Sequence, residues 1–315
     1  MKVQPDQQEA LRALNAVLQS IESVRNAPAL FLLMLAFSSA GVMMSWAMQA
    51  MARESGPMTT VWSVMAFLCL FYGSNAAGLA VMDEARGREV RVPLEALRGS
   101  LRCAHRLLLV VLLVLLATGL LLAAVAGLLW ACRMPALGPW LMPVVITVGV
   151  PVLGLAALAL LSLVSTVAAP AVWAGLSVRQ VLAMLVGQAR RRFAHATLLA
   201  AAVSLLGAAM VALIGFVVLA GGRLVLGLAV VGLGLDVAPA PVMAALLGQG
   251  LRVVGGPPVV WSPLTQAALT GAGIVFALGL VLPGVVYLRG LCEVFLALRR
   301  LDVAWGLPDP VPSGD

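Results

Sequence analysis

The chain has almost no charged side chains within its long apolar stretches, and this scarcity sets its class. Only 10% of its 315 residues are charged, against about 25% in a typical soluble domain. Hydrophobic residues make up 62% of the sequence, and the mean hydropathy is +1.07. A water-soluble fold of this length could not bury so much apolar surface, because surface area falls too slowly with size. Lipid is therefore the predicted solvent for much of the chain.

Cysteine and histidine are also scarce, which excludes several kinds of site. The four cysteines lie far apart with no C-x-x-C pair, so neither a zinc site nor a disulfide framework is predicted. The Gly221-Gly222 pair lacks the Lys-Ser/Thr of a phosphate-binding loop. The net charge of +7 fits arginines beside anionic headgroups, and no nucleic-acid partner is expected. No catalytic residue, metal site or cofactor is predicted, and the chain is not expected to be an enzyme.

Six apolar stretches are long enough to cross a bilayer, which takes about 20 helical residues. The stretches are continuous rather than alternating, which indicates helices and not barrel strands. The predicted fold class is all-α, a polytopic membrane protein with six transmembrane helices. The predicted spans are residues 29–52, 58–82, 107–132, 140–169, 196–222 and 266–298. Pro151 is expected to kink the fourth span, and Pro283 to interrupt the sixth.

The basic residues predict the orientation. Nineteen arginines and one lysine are present, and sixteen of these twenty lie outside or at the ends of the spans on one side. The other side carries only Arg53, Arg133, Arg223 and Arg252. Because cytoplasmic loops carry the excess of basic residues, both termini are predicted to be cytoplasmic. We expect a multi-pass protein of the bacterial inner (cytoplasmic) membrane.

Three further segments complete the predicted domain organisation. Residues 1–27 form an N-terminal cytoplasmic segment whose amphipathic helix, 6–26, either lies in the membrane interface or packs on the cytoplasmic loops. The transmembrane domain covers residues 28–300, and a cytoplasmic tail covers 301–315. Residues 224–262 are too short and too broken by glycine and proline to cross twice. They are predicted to form a re-entrant or interfacial helical lid before the last span.

Two basic cytoplasmic loops resemble each other. Each combines an amphipathic stretch with arginines and then an Ala-His pair that enters the next span, which suggests a parallel repeat of spans two–three and four–five. Their charged residues are candidates for docking a protein partner, or else hold the chain at the lipid headgroups. These candidate docking residues are Glu95, Arg98, Arg102, Arg179, Arg190, Arg191 and Arg192.

Only two other groups of residues suggest chemistry. His105 and His195 are the only histidines, and imidazole is a common axial haem ligand. Interfacial histidines beside arginines are the simpler interpretation. Tyr72, Ser74 and Asn75 could line a polar cavity in the second span, although such groups more often bond between helices. The spans otherwise lack the deep charges that mark proton or ion paths.

Residues 82–199 resemble the YciC-like group of bacterial inner-membrane proteins of unknown function. The resemblance lies in Glu95-Ala96-Leu97-Arg98 before a long span, Pro170 near the end of a span, and a loop that runs into basic residues. Ala174 and Gly175 stand where those proteins often carry an acid. The layout also resembles ABC exporter permeases of the polysaccharide and drug-exporter class. That resemblance implies an interfacial helix at 6–26, a coupling helix at 92–105 and a separate cytoplasmic ATPase.

The predicted function is that of a membrane-embedded, non-catalytic subunit of a transport or envelope assembly, with an exporter permease as its most specific form. Its expected partners are the lipid bilayer, other protein subunits and further copies of the chain. Two alternatives stay open. One is a structural or scaffolding inner-membrane protein of the YciC-like type, and the other is a haem-binding redox membrane subunit.

Overall fold

A computed structural model describes residues 26–52, 55–134, 138–191, 193–232, 242–243, 246 and 263–304. All regular secondary structure in these residues is helical, and six helices are long and apolar enough to cross a membrane. The predicted all-α class with six transmembrane helices is confirmed. The predicted N-terminal helix at 6–26 and the tail from residue 305 onward lie outside the described residues, except for Asn26.

The described residues form helices that we number in chain order. They are α1 (Ala27–Ala52), α2 (Gly56–Ala85), α3 (Pro93–Ala131), α4 (Gly138–Ala159) with a π-helical continuation (Leu160–Ala168), α5 (Ala169–Trp173), α6 (Val178–Arg191), α7 (Phe193–Gly227) with a second π segment (Leu228–Gly232), α8 (Pro263–Gly279) and α9 (Val281–Ala304). By their contacts the residues divide into two compact units. The unit with α1, α2, α8 and most of α7 contains the candidate site.

The α1–α2 hairpin is held by small residues that let two backbones approach closely. Gly73 of α2 faces Ala36 of α1, and a Cβ added at Gly73 would overlap the Ala36 side chain. Gly41 of α1 is packed in the same way against Ala277 of α8. Lipid supplies little hydrophobic drive between helices, so close van der Waals packing of small residues is the main attraction.

Tryptophans mark one end of the hairpin and charges mark the other. Trp46 of α1 and Trp62 of α2 meet edge to face with ring centroids 4.7 Å apart. Asp83 lies at the opposite end of α2, 21 residues and about 32 Å further along the helix. That length matches the hydrocarbon core of a bilayer, about 30 Å thick. Tryptophan concentrates at membrane interfaces, so this spacing places the charged end at the other face.

Helix α3 is longer than any single crossing requires. Its 39 residues run without a break from Pro93 to Ala131 and extend about 58 Å. The predicted coupling helix at 92–105 is therefore not a separate helix, because from Pro93 onward these residues form the first turns of α3. The 25 residues from Leu107 to Ala131 already span about 37 Å. The preceding turns of α3 thus add about 20 Å of rigid helix beyond the apolar segment.

Positive-φ glycines follow the ends of two helices. Gly87 (φ 66) follows α2, and Gly175 (φ 93) follows α5. In both turns the glycine N–H and the next N–H bond back to carbonyls of the last helical turn, at 2.9–3.1 Å. This is the Schellman arrangement, which glycine adopts without a Cβ penalty. After the second turn, the Gln180 side chain accepts a hydrogen bond of 2.8 Å from the Ser177 backbone N–H, which is one half of a capping box.

The fourth span contains prolines and a widened segment. α4 continues through Pro143 and Pro151 and then becomes π-helical at Leu160. Within this π segment Ser162 is buried, and its hydroxyl donates to the Leu158 carbonyl at 2.6 Å. The Thr197 hydroxyl of α7 lies 3.3 Å from the Ser162 hydroxyl. A polar contact thus joins the fourth and fifth spans.

Part of the predicted lid is a continuation of the fifth span. Residues 224–232 belong to α7 and its π segment, so the lid does not begin at residue 224. Val242 and Leu246, from the middle of the predicted lid, pack against Leu226, Leu269 and Ala272. The described part of the lid therefore covers the ends of α7 and α8. The rest of 233–262 lies outside the described residues.

The sixth span is divided just before Pro283, as the sequence predicts. α8 ends at Gly279, a turn occupies Leu280, and α9 begins at Val281. Pro283 has no N–H to give to the Gly279 carbonyl, and its ring crowds that carbonyl. The Leu280 N–H is shared between the carbonyls of Phe276 and Ala277, each at 3.2 Å. The predicted interruption by Pro283 is confirmed.

Candidate functional site

Five polar side chains from distant parts of the sequence meet at the charged end of α1, α2 and α9. They are Asn26, Asp83, Glu84, Arg91 and Arg289, and we call them the inner polar cluster. The tight turn after α2 brings Arg91 back toward Asp83. The start of α1 and the second helix of the last span supply Asn26 and Arg289.

Asn26 joins the start of α1 to the end of α2. Its side-chain oxygen accepts a hydrogen bond of 3.0 Å from the Ala29 backbone N–H, which is the N-cap arrangement of a helix. Its side-chain NH2 donates to a carboxylate oxygen of Glu84. Asn26 is buried, so both halves of its amide are used where water cannot replace them.

Asp83 and Arg91 form a two-point ion pair across the α2–α3 turn. The Arg91 Nε lies 2.8 Å from one carboxylate oxygen and its Nη2 lies 3.2 Å from the other. Asp83 is 5% exposed, whereas the Arg91 side chain is 40% exposed. The Nη2 contact is a hydrogen bond and the Nε contact is a charge contact, and together they link the end of α2 to the residues just before α3.

Glu84 contacts two different partners, one by a hydrogen bond and one by charge, and so links the ends of three helices. One of its oxygens accepts from Asn26, and the other lies 4.0 Å from the Arg289 guanidinium. The cluster holds two carboxylates and two guanidiniums, so its charges balance. Balanced, mutually bonded charges are poorly suited to general acid–base work, which needs a group free to exchange a proton. The polar contacts of the cluster therefore join the ends of these helices.

The sequence pointed to only part of this cluster. Asp83 and Glu84 stand out as the acids at the end of the second span, and Arg289 as a charge in a long last helix. Asn26 was missed as a site residue, because a single asparagine before an apolar run signals a helix cap and nothing more. Nothing in one sequence indicates that residues 58 positions apart, such as Asn26 and Glu84, are in contact.

The predicted docking residues lie at the surface wherever the structure describes their side chains. Glu95, Arg98 and Arg102 are exposed on the first turns of α3, and Arg179 and Arg190 are exposed on α6. The side chain of Arg191 and the whole of Arg192 lie outside the described part. On α3, the exposed leucines Leu94, Leu97 and Leu101 run beside the charges. Apolar and basic side chains therefore share the protruding end of this helix.

The other candidate residues make local contacts or lie at the surface. Ser74 and Asn75 both donate to the Phe71 carbonyl of their own helix, at 3.1 and 2.8 Å. The Tyr72 ring packs edge to face on Phe71 with centroids 5.7 Å apart. His105 and His195 are exposed, in the first part of α3 and α7. No group of three or more His, Cys, Asp or Glu residues able to hold a metal occurs among the described residues.

Asn26→Ala is expected to lower the free energy of unfolding by about 1 kcal/mol through the lost cap, and by a similar amount through the lost bond to the Glu84 carboxylate. Unfolding of the purified protein in mixed detergent micelles measures the change. Ser55→Ala is the matched control, because Ser55 also precedes a helix but makes no side-chain cap bond. Equal effects of the two substitutions would contradict the role given to Asn26.

No protein-family model, curated protein or solved structure matches this chain.

Proposed function

We propose that the chain is a membrane-embedded, non-catalytic subunit of a transport or envelope assembly, and that a partner binds the protruding end of α3. The observation that carries this proposal is the continuity of α3 from Pro93 to Ala131. A crossing helix that continues about 20 Å beyond its apolar segment presents side chains to a partner outside the bilayer. The bacterial inner membrane, with this end in the cytoplasm, belongs to the proposal.

Two contacts hold the start of α3 against the end of α2. The Asp83–Arg91 ion pair spans the turn before α3. Gly99, on the second turn of α3, packs on Leu79 of α2, where an added Cβ would meet the leucine side chain at 3.2 Å. Pre-ordered surfaces bind more tightly because less conformational entropy is lost on association.

The surface itself combines features of protein interfaces. Leu94 and Leu101 are each 57% exposed and Leu97 is 37% exposed, and all three precede the apolar segment that begins at Leu107. Arg98 and Arg102 lie beside them. Arginine next to apolar side chains is a frequent composition at interfaces. An acidic, partly apolar partner surface fits this pattern.

The exporter-permease form of the proposal has weaker support than the general form. Its coupling helix would lie between the second and third spans as an element of its own, whereas residues 93–105 continue directly into the third span. A scaffold of YciC-like type is the second candidate. It is favoured by Ser74 and Asn75, each of which donates a hydrogen bond to the Phe71 carbonyl of its own helix, a common use of small polar side chains within a helix.

Purification under native conditions tests the proposal. We expect a second protein to co-purify with the full chain, and the double substitution Arg98→Glu and Arg102→Glu to reduce its recovery at least tenfold by placing like charges against an acidic partner. Arg133→Glu is the control, since Arg133 is also exposed but lies after the other end of α3. Recovery of the wild-type chain as a lone monomer, or equal loss with Arg133→Glu, would reject the docking surface.

A further inference from the structure

Two sulfur atoms meet between α1 and α2. The thiol of Cys69 on α2 lies 3.7 Å from the thioether sulfur of Met43 on α1. Both side chains are partly buried. Met65 lies four residues before Cys69, and residues four apart are neighbours on one side of a helix. Met65 therefore lies one turn from Cys69 on the same side of α2.

The two helices of the hairpin are rich in methionine. Eight of the fourteen methionines belong to α1 and α2. Most of them are accounted for as lipid-facing or packing residues, since methionine fills irregular gaps. Met43 differs from these because its sulfur touches a thiol on another helix. That contact joins the only cysteine of the hairpin to the adjacent helix.

We propose that Cys69, Met43 and Met65 form a binding site for a soft monovalent metal ion, Cu(I) or Ag(I). Thiolate and thioether sulfurs are soft ligands, which select Cu(I) over hard cations such as Mg²⁺ or Ca²⁺. The site does not depend on the assembly proposed above, because all three side chains come from one hairpin.

The sulfur separation suits a shared metal ion. Metal–sulfur bonds are about 2.3 Å long, so two sulfurs bound at a trigonal angle lie about 4 Å apart. The Cys69 and Met43 sulfurs, at 3.7 Å, need to move only a few tenths of an ångström. Met65 is 41% exposed, so its flexible chain has room to bring a third sulfur to the ion.

Charge balance restricts the ion to a single positive charge. The ligand is the thiolate, so binding breaks the S–H bond of Cys69, forms a metal–sulfur bond and releases one proton to solvent. A monovalent ion with one thiolate and two neutral thioethers is a neutral unit. A divalent ion would leave a net positive charge among apolar helices, where an uncompensated charge is strongly disfavoured. No electron is transferred in this step.

The site is near the tryptophan end of the hairpin. Met43 lies three residues from Trp46, whose ring packs on Trp62. An open groove of about 440 Å³, lined by Met65 with Pro57, Thr60, Val61 and Val64, lies beside α2 at this level. The groove therefore runs from the tryptophan end of α2 to Met65, and Cys69 lies about one turn further along the helix.

The test uses the full-length chain in detergent, with Ag(I) as the probe and a maleimide as the thiol label. Peptide mass spectrometry then reports the labelling of each cysteine. We expect Ag(I) to protect Cys69 at a concentration at least tenfold lower than it protects Cys103 or Cys132. Met43→Leu and Met65→Leu should each raise the protecting concentration at least tenfold. Met44→Leu should not, because Met44 lies about 100° around α1 from Met43.

A second measurement makes the test independent of maleimide access. Anaerobic titration with Cu(I) should give a thiolate-to-metal ultraviolet absorption that saturates at one ion per chain, weakens with Met43→Leu and disappears with Cys69→Ser. Leucine keeps the volume of methionine, and an unchanged thermal midpoint confirms folding of each variant. The proposal is overturned if Ag(I) protects Cys69 at no lower a concentration than it protects Cys103. It is also overturned if Met43→Leu and Met44→Leu change the protecting concentration equally.

Discussion

Gly73→Ala is expected to lower the free energy of unfolding by about 2 kcal/mol, within the range of about 1–3 kcal/mol for overpacked cores. The added methyl group would overlap the Cβ of Ala36 and come within 3.3 Å of its Cα. Because the obstacle includes backbone, α1 and α2 must separate rather than repack a side chain. The gain in helix propensity from Gly to Ala, about 1 kcal/mol, offsets only part of the loss. Unfolding in mixed detergent micelles measures the difference.

Two further variants isolate the cause. Gly119→Ala on α3 adds the same methyl group where no described atom lies within 4 Å, so it should be neutral or slightly stabilising. In the Gly73→Ala background, Ala36→Gly removes the opposing methyl group and should restore much of the lost stability. If Gly73→Ala proved as harmless as Gly119→Ala, close backbone contact could not be what holds the hairpin together.

Arg91→Ala is expected to destabilise the protein by about 2 kcal/mol, because it leaves the carboxylate of Asp83 buried without its guanidinium. Breaking a fully buried pair costs about 3–5 kcal/mol. The expected loss is smaller here, since the Arg91 side chain is 40% exposed and solvent weakens its attraction for Asp83. The same variant loosens the turn before α3, so partner recovery in the co-purification experiment should also fall.

Substituting Asp83, the other residue of this ion pair, gives the control. Asp83→Asn removes the charge that is buried, and the partly exposed Arg91 can then hydrate, so its cost should be below that of Arg91→Ala. The double variant Asp83→Asn and Arg91→Ala should recover part of the loss of Arg91→Ala alone, as a double-mutant cycle shows for groups in contact. Additive losses would mean that the two residues act separately.

Several elements could be read from the sequence because they depend on local physics. Long uncharged stretches predict spanning helices, since the length needed is set by the bilayer. Pro283 predicts the break at Leu280, because a missing N–H acts within one turn. A serine followed three residues later by glutamine, as at Ser177 and Gln180, is typical of a helix start, and the two residues are joined by a hydrogen bond. Each of these depends on neighbours within a few residues.

Other elements were predicted incompletely, for a related reason. The stretch at 92–105 is amphipathic and the stretch from Leu107 is apolar, so the sequence suggests two helices. The backbone continues through both because no proline or positive-φ glycine separates them. Likewise, residues 224–232 extend the fifth span as helix although a lid was expected to begin there. Composition changes at these boundaries, but helix geometry does not.

The sequence by itself determined that this chain is a six-helix membrane protein. The free energy of transferring a helical segment from water to lipid depends on the composition and length of that segment. Only the tertiary structure decided which polar residues act together. Asn26, Glu84 and Arg289 meet because three helix ends converge, and Cys69 finds Met43 because Gly73 lets two backbones approach. When almost every face of a helix is apolar, the hydrophobic pattern does not specify which helices pack against each other. Close packing of small residues and a few paired charges specify them instead.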